Sequence, residues 1–393
     1  MNNEFPNNLG EPDRVLKFDV EWQDDAGQLR RNRGWRVQHS NKLGPYKGGL
    51  RFHPSLNEEI LTSLAYEQVL KNSLTGLDLG GAKGGSDFDP KRKSEAEIKR
   101  FCEAFMEQLC PYIGPDKDVP AGDIGVGARE ITYMYNKYVE MTGKHDCALT
   151  GKPLELGGSL ARKEATGYGL VYFAAEHLKS AGQSFDGKRV LVSGSGNVAT
   201  YAAEKATALG ATVLTMSDSD GFVLDPQGID AEMVKQIKEV DRGRICEYVK
   251  SKPNAQYFAG ARPWDVAADI ALPCATQNEI EAPDAQNLAK NGVTLVCEGS
   301  NLSTTDEAFV ILQDAGITYF PGKASNAGGV AVSGLEMIQN ARDEHWDFET
   351  VDAKLRDIMT NIHHNINETA REHNLANDYP TAATLTALKR LSQ

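Results

Sequence analysis

Residues 188–199 read Lys-Arg-Val-Leu-Val-Ser-Gly-Ser-Gly-Asn-Val-Ala, where an apolar run passes into a Gly-x-Gly-x-x-Ala pattern. The apolar run predicts a short strand, and the residues after the glycines predict a helix. Gly194 permits a tight turn, Gly196 lets a pyrophosphate approach the backbone, and Ala199 permits close packing of the helix on the strand. The glycine pattern alone also fits a plain strand-to-helix turn, but its place between a strand and a helix favours a dinucleotide-binding unit.

The pattern continues downstream, because short apolar runs alternate with helical periodicity from about residue 185 onward. We predict strands at residues 189–193, 212–216, 269–272, 294–296 and 317–320. Such alternation is typical of a parallel, doubly wound sheet that binds ligands at the carboxyl ends of its strands. The second strand leads into Asp218, where an acid that binds a ribose belongs. A 2′-phosphate could instead be accommodated by the nearby side chains of Ser219, Lys238, Arg242 and Arg244. The residues alone therefore leave NAD and NADP open.

The first part of the chain follows another pattern. Residues 14–22 and 29–40 predict two strands joined by an Asp-Asp-Ala-Gly turn, hence a hairpin in an antiparallel or mixed sheet. Asn57 is the predicted N-cap of one helix, and Ser94 with Glu97 forms a capping box that begins another.

Together these patterns predict an α/β protein with two domains. The predicted boundaries are an α/β substrate domain with a mixed sheet at residues 1–160, a Rossmann-like dinucleotide-binding domain at 161–340, and C-terminal helices at 341–393 that pack on the first domain.

Composition excludes several other classes. The chain has 393 residues, a formal net charge of -13 and 40% hydrophobic residues, enough to fill two cores. The acidic balance argues against a nucleic-acid partner, and no apolar run approaches the roughly 18 residues that cross a bilayer. The six cysteines form no Cys-x-x-Cys pair and no cluster with histidine, so we expect no metal site. The N-terminal residues lack the order of a signal peptide, and we expect a cytoplasmic protein.

Polar residues in costly glycine-rich segments are the candidates for chemistry. Lys47 lies in Gly-Pro-Tyr-Lys-Gly-Gly-Leu-Arg and Lys83 in Leu-Gly-Gly-Ala-Lys-Gly-Gly, although surface lysines beside turn glycines would look the same. Gln68 and Lys71 share a helix face and could hold one carboxylate, unless Lys71 only complements the helix C-terminus. Asp123, in Val-Pro-Ala-Gly-Asp-Ile-Gly-Val-Gly, could exchange protons with an amine or could form an Asx-turn or N-cap.

Long and specific runs carry a family resemblance. They lie at residues 44–54, 80–90, 119–127 and 326–336, the last reading Asn-Ala-Gly-Gly-Val-Ala-Val-Ser-Gly-Leu-Glu. From about residue 14 to about residue 363 the chain resembles the glutamate dehydrogenases of the glutamate, leucine, phenylalanine and valine dehydrogenase superfamily. The resemblance implies an oxidoreductase that interconverts L-glutamate with 2-oxoglutarate and ammonium.

The resemblance also implies roles for residues in these motifs. Lys83 would be the catalytic lysine, and Asp123 would shuttle protons to and from nitrogen. The implied substrate-binding residues are Gln68, Lys71 and the backbone at Gly122 for the α-carboxylate, and Lys47 with Ser333 for the side-chain carboxylate. The branched-chain and aromatic amino acid enzymes carry apolar residues at the last two positions, so a charged pocket implies a dicarboxylate substrate.

The implied cofactor-binding residues are Thr166, Gly194, Ser195, Gly196, Asn197, Asp218, Ser219, Asn301 and Asn326. Gly-Ser-Gly-Asn with Ser-Asp-Ser at residues 217–219 is similar to the NADP-dependent members, so we expect NADP rather than NAD. The family also implies a homo-oligomer, usually a hexamer, although the segment before the first strand is shorter than usual. Two other functions stay open: a non-catalytic paralogue that senses glutamate or dinucleotide, and a dehydrogenase for apolar amino acids.

Overall fold

The computed structural model describes residues 10–393, which form two compact units. Unit 1 comprises the residues up to Arg162 together with Val330–Val351 and Ala387–Gln393, and unit 2 comprises Lys163–Gly329 and Asp352–Thr386. Both units are α/β, with a mixed sheet in the first and a Rossmann-like sheet in the second, which confirms the predicted fold class. The first nine residues, on which the signal-peptide expectation rested, lie outside the described residues.

The sheet of unit 1 is mixed. Its described strands are β1 (Arg14–Gln23), β2 (Leu29–Ser40), β3 (Tyr46–Phe52), β4 (Gly81–Ser86) and β5 (Asp118–Gly122), in the order β1-β2-β4-β3-β5. β2 pairs antiparallel with β1 and β4, whereas β3 runs parallel to β4 and β5. The hairpin of β1 and β2 confirms its prediction. The next three strands were not predicted, because their glycine-rich sequences lack apolar alternation.

Helices cover both sheets. The described α-helices are α1 (Glu58–Leu74), α2 (Glu95–Leu109), α3 (Ala128–Thr142), α4 (Ala165–Ser180), α5 (Asn197–Ala208), α6 (Ala231–Lys235), α7 (Ala282–Lys290), α8 (Asp306–Asp314), α9 (Gly322–Ser325), α10 (Gly328–Arg342), α11 (Phe348–Glu372) and α12 (Tyr379–Leu391). Asn57 caps α1 by accepting a hydrogen bond from the Ile60 N–H at 2.9 Å, and Ser94 with Glu97 forms the predicted capping box of α2. These two helix starts were therefore readable from the sequence.

The sheet of unit 2 is parallel over most of its width. Its described strands are β6 (Arg189–Val192), β7 (Thr212–Asp218), β8 (Gly221–Leu224), β9 (Gln256–Ala259), β10 (Ile270–Leu272), β11 (Leu295–Cys297) and β12 (Thr318–Phe320), in the order β12-β11-β10-β6-β7-β8-β9. The five predicted strands are present and parallel. β8 and β9 form an antiparallel edge that the alternation of strands and helices did not predict.

The C-terminal helices are divided between the units, whereas the sequence placed residues 341–393 on the first domain. In unit 2, α11 buries Leu355, Met359 and Ile362, and the Tyr379 ring of α12 lies 4.3 Å from the Phe320 ring. In unit 1, Arg390 donates hydrogen bonds to backbone carbonyls at the end of α1, including that of Leu77 at 2.8 Å. The burial of the apolar face of α11 thus places most of this helix in unit 2. Hydrophobic periodicity predicts such a face but does not show which residues it contacts. Within residues 10–393, none of the helices combines the length and apolar character needed to span a bilayer.

Candidate active site

Lys83 and Asp123 lie side by side in unit 1. Lys83 Nζ is 3.0 Å from Asp123 Oδ2, and the same oxygen accepts a hydrogen bond from Arg51 Nε at 2.9 Å. Burial alone would raise the pKa of Asp123, but the two adjacent cations outweigh burial and lower that pKa to about 2. The N-cap alternative for Asp123 is wrong, because α3 begins at Ala128 after Gly127. Asp123 is therefore ionised near neutral pH and is held in place by Lys83 and Arg51.

The register of β3 and β4 brings these groups together. Arg51 lies opposite Gly85, and side chains alternate along a strand, so Arg51 and Lys83 share one face of the sheet. A Cβ on Gly49 would lie 2.9 Å from Asp123 Cβ, so glycine is needed for the carboxylate to approach β3. The alternative of surface lysines beside turn glycines is wrong for Lys83, which is buried within a central strand.

Lys47 lies on β3 and is 1% exposed. In the part of the chain that the structure describes, no hydrogen bond or ion pair joins its ammonium to another group. Burial lowers the pKa of Lys47, the charges of Arg36 and Arg162 act in the same direction, and that of Glu336 opposes them, so that the pKa lies at about 7. Arg36 is itself paired with Asp118, with Nε 2.9 Å from Oδ2. The ammonium of Lys47 is thus a buried cation that an anionic ligand would stabilise.

Arg162 is the second cation with spare hydrogen-bonding capacity here. Its Nε is fully enclosed, and no described residue accepts a hydrogen bond from it. Burial lowers the pKa of Arg162, and the charge of Glu336 opposes that effect. A carboxylate bound between Lys47 and Arg162 would satisfy both groups.

The remaining predicted substrate residues also lie in unit 1. Gln68 and Lys71 are half-buried on α1, and a Cβ on Gly48 would lie 3.1 Å from Gln68 Cγ, so Gln68 packs beside β3. Gly122 ends β5 directly before Asp123. Ser333 is buried on α10. The structure therefore places Gln68 and Gly122 beside the strands that carry Lys47 and Lys83.

In unit 2, the predicted dinucleotide loop joins β6 to α5. Gly194 has a φ of +83°, and a Cβ there would lie 2.9 Å from the Cys274 carbonyl oxygen, so only glycine fits. A Cβ on Gly196 would meet nothing within 4 Å, which leaves the backbone open to a ligand. The loop is fixed by a hydrogen bond from the Gly194 N–H to Ser217 Oγ at 2.7 Å. The N-cap of α5 is Gly196, which follows Ser195, and no described side chain caps this helix. Its first N–H groups can therefore bind a pyrophosphate.

Asp218 ends β7 with its carboxylate already engaged. Oδ2 accepts a hydrogen bond from the Ile245 N–H at 2.9 Å, and Lys238 Nζ lies 3.5 Å from the same oxygen. Burial acts against these contacts, but backbone hydrogen bonds and the cations lower the pKa of Asp218. Arg244 donates a hydrogen bond to Ser219 Oγ at 2.9 Å. A lysine, an arginine and a hydroxyl at this strand end are the donors that a 2′-phosphate needs, which favours NADP over NAD.

A further polar group in unit 2 fits an amide ligand. Asn326 Nδ2 donates hydrogen bonds to Asn301 Oδ1 at 2.9 Å and to the Gly299 carbonyl at 3.2 Å. Asn326 Oδ1 is buried, and no residue of the described chain donates to it. The carboxamide of a nicotinamide would supply the missing donor. Thr166 is half-buried near the start of α4, and Asn197 is the first residue of α5.

Sequence reasoning missed Arg51 and Arg162. Arg51 stands in the same glycine-rich run as Lys47, and its basic charge so near a candidate lysine was the available signal. Arg162 had no signal in the sequence, since it is one of many basic residues and only the fold encloses its Nε.

Comparisons with known proteins give a consistent result. Residues 157–393 match the profile of Glutamate/Leucine/Phenylalanine/Valine dehydrogenase, and residues 12–140 match that of the Glu/Leu/Phe/Val dehydrogenase dimerisation domain. The chain is 58% identical over 357 residues to the NAD(P)-specific glutamate dehydrogenase of Xylanibacter ruminicola, covering 90% of this chain and 80% of the relative. It is 54% identical to the NADP-specific glutamate dehydrogenase of Escherichia coli, covering 91% of this chain and 80% of that one. The crystal structure of Plasmodium falciparum glutamate dehydrogenase superposes with a TM-score of 0.96 at 49% identity, covering 98% of this chain and 83% of that one.

Proposed function

Because the chain belongs to the Glutamate/Leucine/Phenylalanine/Valine dehydrogenase family, we propose that it is an NADP-dependent glutamate dehydrogenase. The reaction converts L-glutamate, NADP⁺ and water to 2-oxoglutarate, ammonium, NADPH and a proton, and it is reversible. The identity to curated NADP-specific glutamate dehydrogenases over most of the chain carries this proposal.

The arrangement around Lys83 supports catalytic roles for two residues. Its ammonium can donate a hydrogen bond to a carbonyl or hydroxyl oxygen on the reacting carbon and so stabilise charge that develops there. Asp123 accepts a proton from the substrate amine or returns one to it. It lies 3.0 Å from Lys83 Nζ, close enough for a proton to pass between the two groups. Arg51 holds the carboxylate in place through Oδ2. Both the motifs and this geometry support the proposal of an acid–base pair at the reacting carbon.

Substrate choice follows from the cations in unit 1. Lys47 and Arg162, with the hydroxyl of Ser333, are proposed to bind the side-chain carboxylate. Gln68, Lys71 and the Gly122 backbone are proposed to bind the α-carboxylate. An apolar amino acid would leave the buried cations unpaired, and leaving a buried charge unsatisfied costs a large share of the binding energy.

The cofactor residues of unit 2 supply binding and orientation. NADP, when bound, accepts or donates a hydride at its nicotinamide ring. Gly194 and Gly196 with the start of α5 bind the pyrophosphate, and Asn197, Thr166 and Ser195 line this region. The side chains of Ser219, Lys238 and Arg244 bind the 2′-phosphate, with Asp218 holding that loop through Ile245. Asn326, fixed by Asn301, binds the carboxamide through its free Oδ1.

The cellular compartment and the oligomeric state are also part of the proposal. We propose a cytoplasmic enzyme and a homo-oligomer, because the relatives are glutamate dehydrogenases and residues 12–140 match a dimerisation domain. Sedimentation of the purified chain tests the second statement, and a mass equal to a single 42.8 kDa chain would contradict it.

The assay that tests the function follows absorbance of the reduced nicotinamide with 2-oxoglutarate and ammonium, comparing NADPH with NADH. We expect rapid oxidation of NADPH and slower oxidation of NADH. In the reverse direction, glutamate should be oxidised faster than leucine. Folded protein that binds NADPH but turns over neither dinucleotide would favour the sensing paralogue, and faster leucine oxidation would favour the enzyme for apolar amino acids.

A further inference from the structure

An ion pair in unit 1 has no part in the roles assigned so far. Lys152 and Glu336 are both fully buried, and Lys152 Nζ lies 2.9 Å from Glu336 Oε1. Removing two charges from water is costly, and apolar residues of similar volume would fill such a place at least as well. Stability of the fold alone therefore does not explain why a charged pair occupies this buried place.

Both partners are fixed by additional hydrogen bonds. Lys152 Nζ donates to the Leu149 carbonyl at 2.8 Å and to Asn340 Oδ1 at 3.0 Å. Glu336 Oε2 accepts a hydrogen bond from the Gly151 N–H at 2.9 Å. The carboxylate is thus held against the segment at residues 151–152.

The same carboxylate acts on the cations of the substrate pocket. Its negative charge opposes the lowering of the pKa of Lys47 and of Arg162, yet within residues 10–393 no hydrogen bond joins it to either. Glu336 follows Ser333 by three positions on α10, so the two side chains project from one side of that helix. Glu336 is therefore placed to act on the pocket by its field and not by contact.

We propose that Glu336 is a positioning residue: its buried carboxylate keeps Lys47 protonated, while Lys152 holds that carboxylate away from Lys47 and Arg162. Both cations are then left for the side-chain carboxylate of the substrate. This inference rests on the proposed function, because it concerns the substrate pocket of that reaction.

The other groups around Lys47 do not supply this negative charge. Asp118 is held by Arg36 in a buried pair and also accepts a hydrogen bond from Gln38. Burial raises the pKa of the Cys147 thiol to about 11, so the thiol is neutral near neutrality. Burial, Arg36 and Arg162 all lower the pKa of Lys47, to about 7, and Glu336 is the carboxylate that opposes them. Near neutral pH, Lys47 is therefore only partly protonated, so the charge of one nearby carboxylate changes its protonated fraction.

The test measures KM for 2-oxoglutarate and kcat against pH in the intact enzyme and in two variants of the pair. Glu336→Gln removes the carboxylate charge, so the pH at which KM begins to rise should fall by roughly one unit. Above that point KM should be about tenfold higher, with kcat within about threefold. Lys152→Met frees Glu336 to approach the pocket cations, so the same pH should rise instead.

Opposite shifts distinguish this role from a structural one. An ion pair that only stabilises the fold would move the pH profile in the same way in both variants, or in neither, and that result would overturn the proposal. Glu140→Gln, which neutralises an exposed acid on α3, serves as the matched control and should leave the profile unchanged.

Failure of a variant to fold and loss of turnover have separate consequences. Where one of these variants fails to fold, the other is measured alone, and an unshifted profile in it overturns the proposal. Lack of turnover by the parent enzyme would refute the proposed function itself, whereas turnover with unmoved profiles would refute only the role of Glu336.

Discussion

At the residue scale, the properties of the site come from charges that the fold buries without full compensation. Asp123 is held by two cations, whereas the Lys47 ammonium has no partner within the described residues. A dianionic substrate should bind well to this surplus of buried positive charge, because its carboxylates would supply hydrogen-bonding partners for the buried cations.

The first prediction concerns pH and Lys47. Its pKa is lowered to about 7, so the protonated form that binds a carboxylate is lost as pH rises through that value. KM for 2-oxoglutarate should therefore be constant below about pH 7 and rise about tenfold per unit above it. Steady-state kinetics across this range check the effect. Lys47→Arg, which cannot lose its proton in this range, should bind more weakly but show a flat profile, and a rising KM in that variant would contradict the assignment.

The second prediction concerns cofactor choice. Lys238→Ala with Arg244→Ala removes the two cations at the end of β7, so the preference for NADPH over NADH should fall roughly 10- to 100-fold, the loss of one or two charged hydrogen bonds. The ratio of kcat/KM for the two dinucleotides measures it. Arg242→Ala is the control, because Arg242 lies in the same loop and carries the same charge, but among the described residues only Arg244 of these two arginines contacts Ser219 and Asp218. An equal effect of the control would mean that net charge, not contact, sets the preference.

At the scale of elements, glycines decide how closely strands and helices approach. In β3 and β4 they let α1 and Asp123 reach the sheet, because a Cβ on Gly81 would lie 2.3 Å from Val69 Cγ2. The same device recurs in unit 2, where α4 crosses α5. A Cβ on Gly167 would lie 2.6 Å from the Ala202 backbone nitrogen.

The third prediction follows from that crossing. Helix propensity favours alanine over glycine by about 1 kcal/mol, but Gly167→Ala forces α4 away from α5. We expect net destabilisation of about 1 to 3 kcal/mol, because overpacking outweighs propensity. Denaturant unfolding measures the change. Gly127→Ala, where the added Cβ has no neighbour nearer than 3.5 Å, should change stability far less, and equal losses in both would show that packing at the crossing is not the cause.

At the scale of the whole molecule, the chemistry is divided between the two units. The proposed acid–base pair and the proposed substrate cations belong to unit 1, and the proposed dinucleotide residues belong to unit 2. Effects on substrate chemistry and on cofactor binding should therefore be separable by mutation, since groups that share no partners act independently.

The fourth prediction tests this division. Lys83→Ala should reduce turnover by a factor of at least about 1000, because the donor at the reacting carbon is lost. The affinity for NADPH, measured by fluorescence titration, should stay within about twofold. Lys42→Ala, an exposed lysine on the same unit, should leave both quantities unchanged. Loss of NADPH binding in the Lys83 variant would show that the units do not act separately.

Much of this molecule was determined by local sequence. The dinucleotide loop, the hairpin of β1 and β2 and the caps of α1 and α2 depend on residues within a few positions of one another, so their chemistry is visible in the chain itself. Lys83 and Asp123 could also be proposed as catalytic residues from the sequence, because long specific motifs surround them.

Only the tertiary structure decided the rest. β3, β4 and β5 have little strand propensity and exist because their glycines fit between neighbours distant in sequence. Arg162 and Glu336 enter the proposed substrate pocket only because the fold encloses the Arg162 Nε and buries the Glu336 carboxylate. The physical reason is the same in each case: close approach and desolvation depend on what lies across the fold, and no local pattern of residues encodes that neighbour.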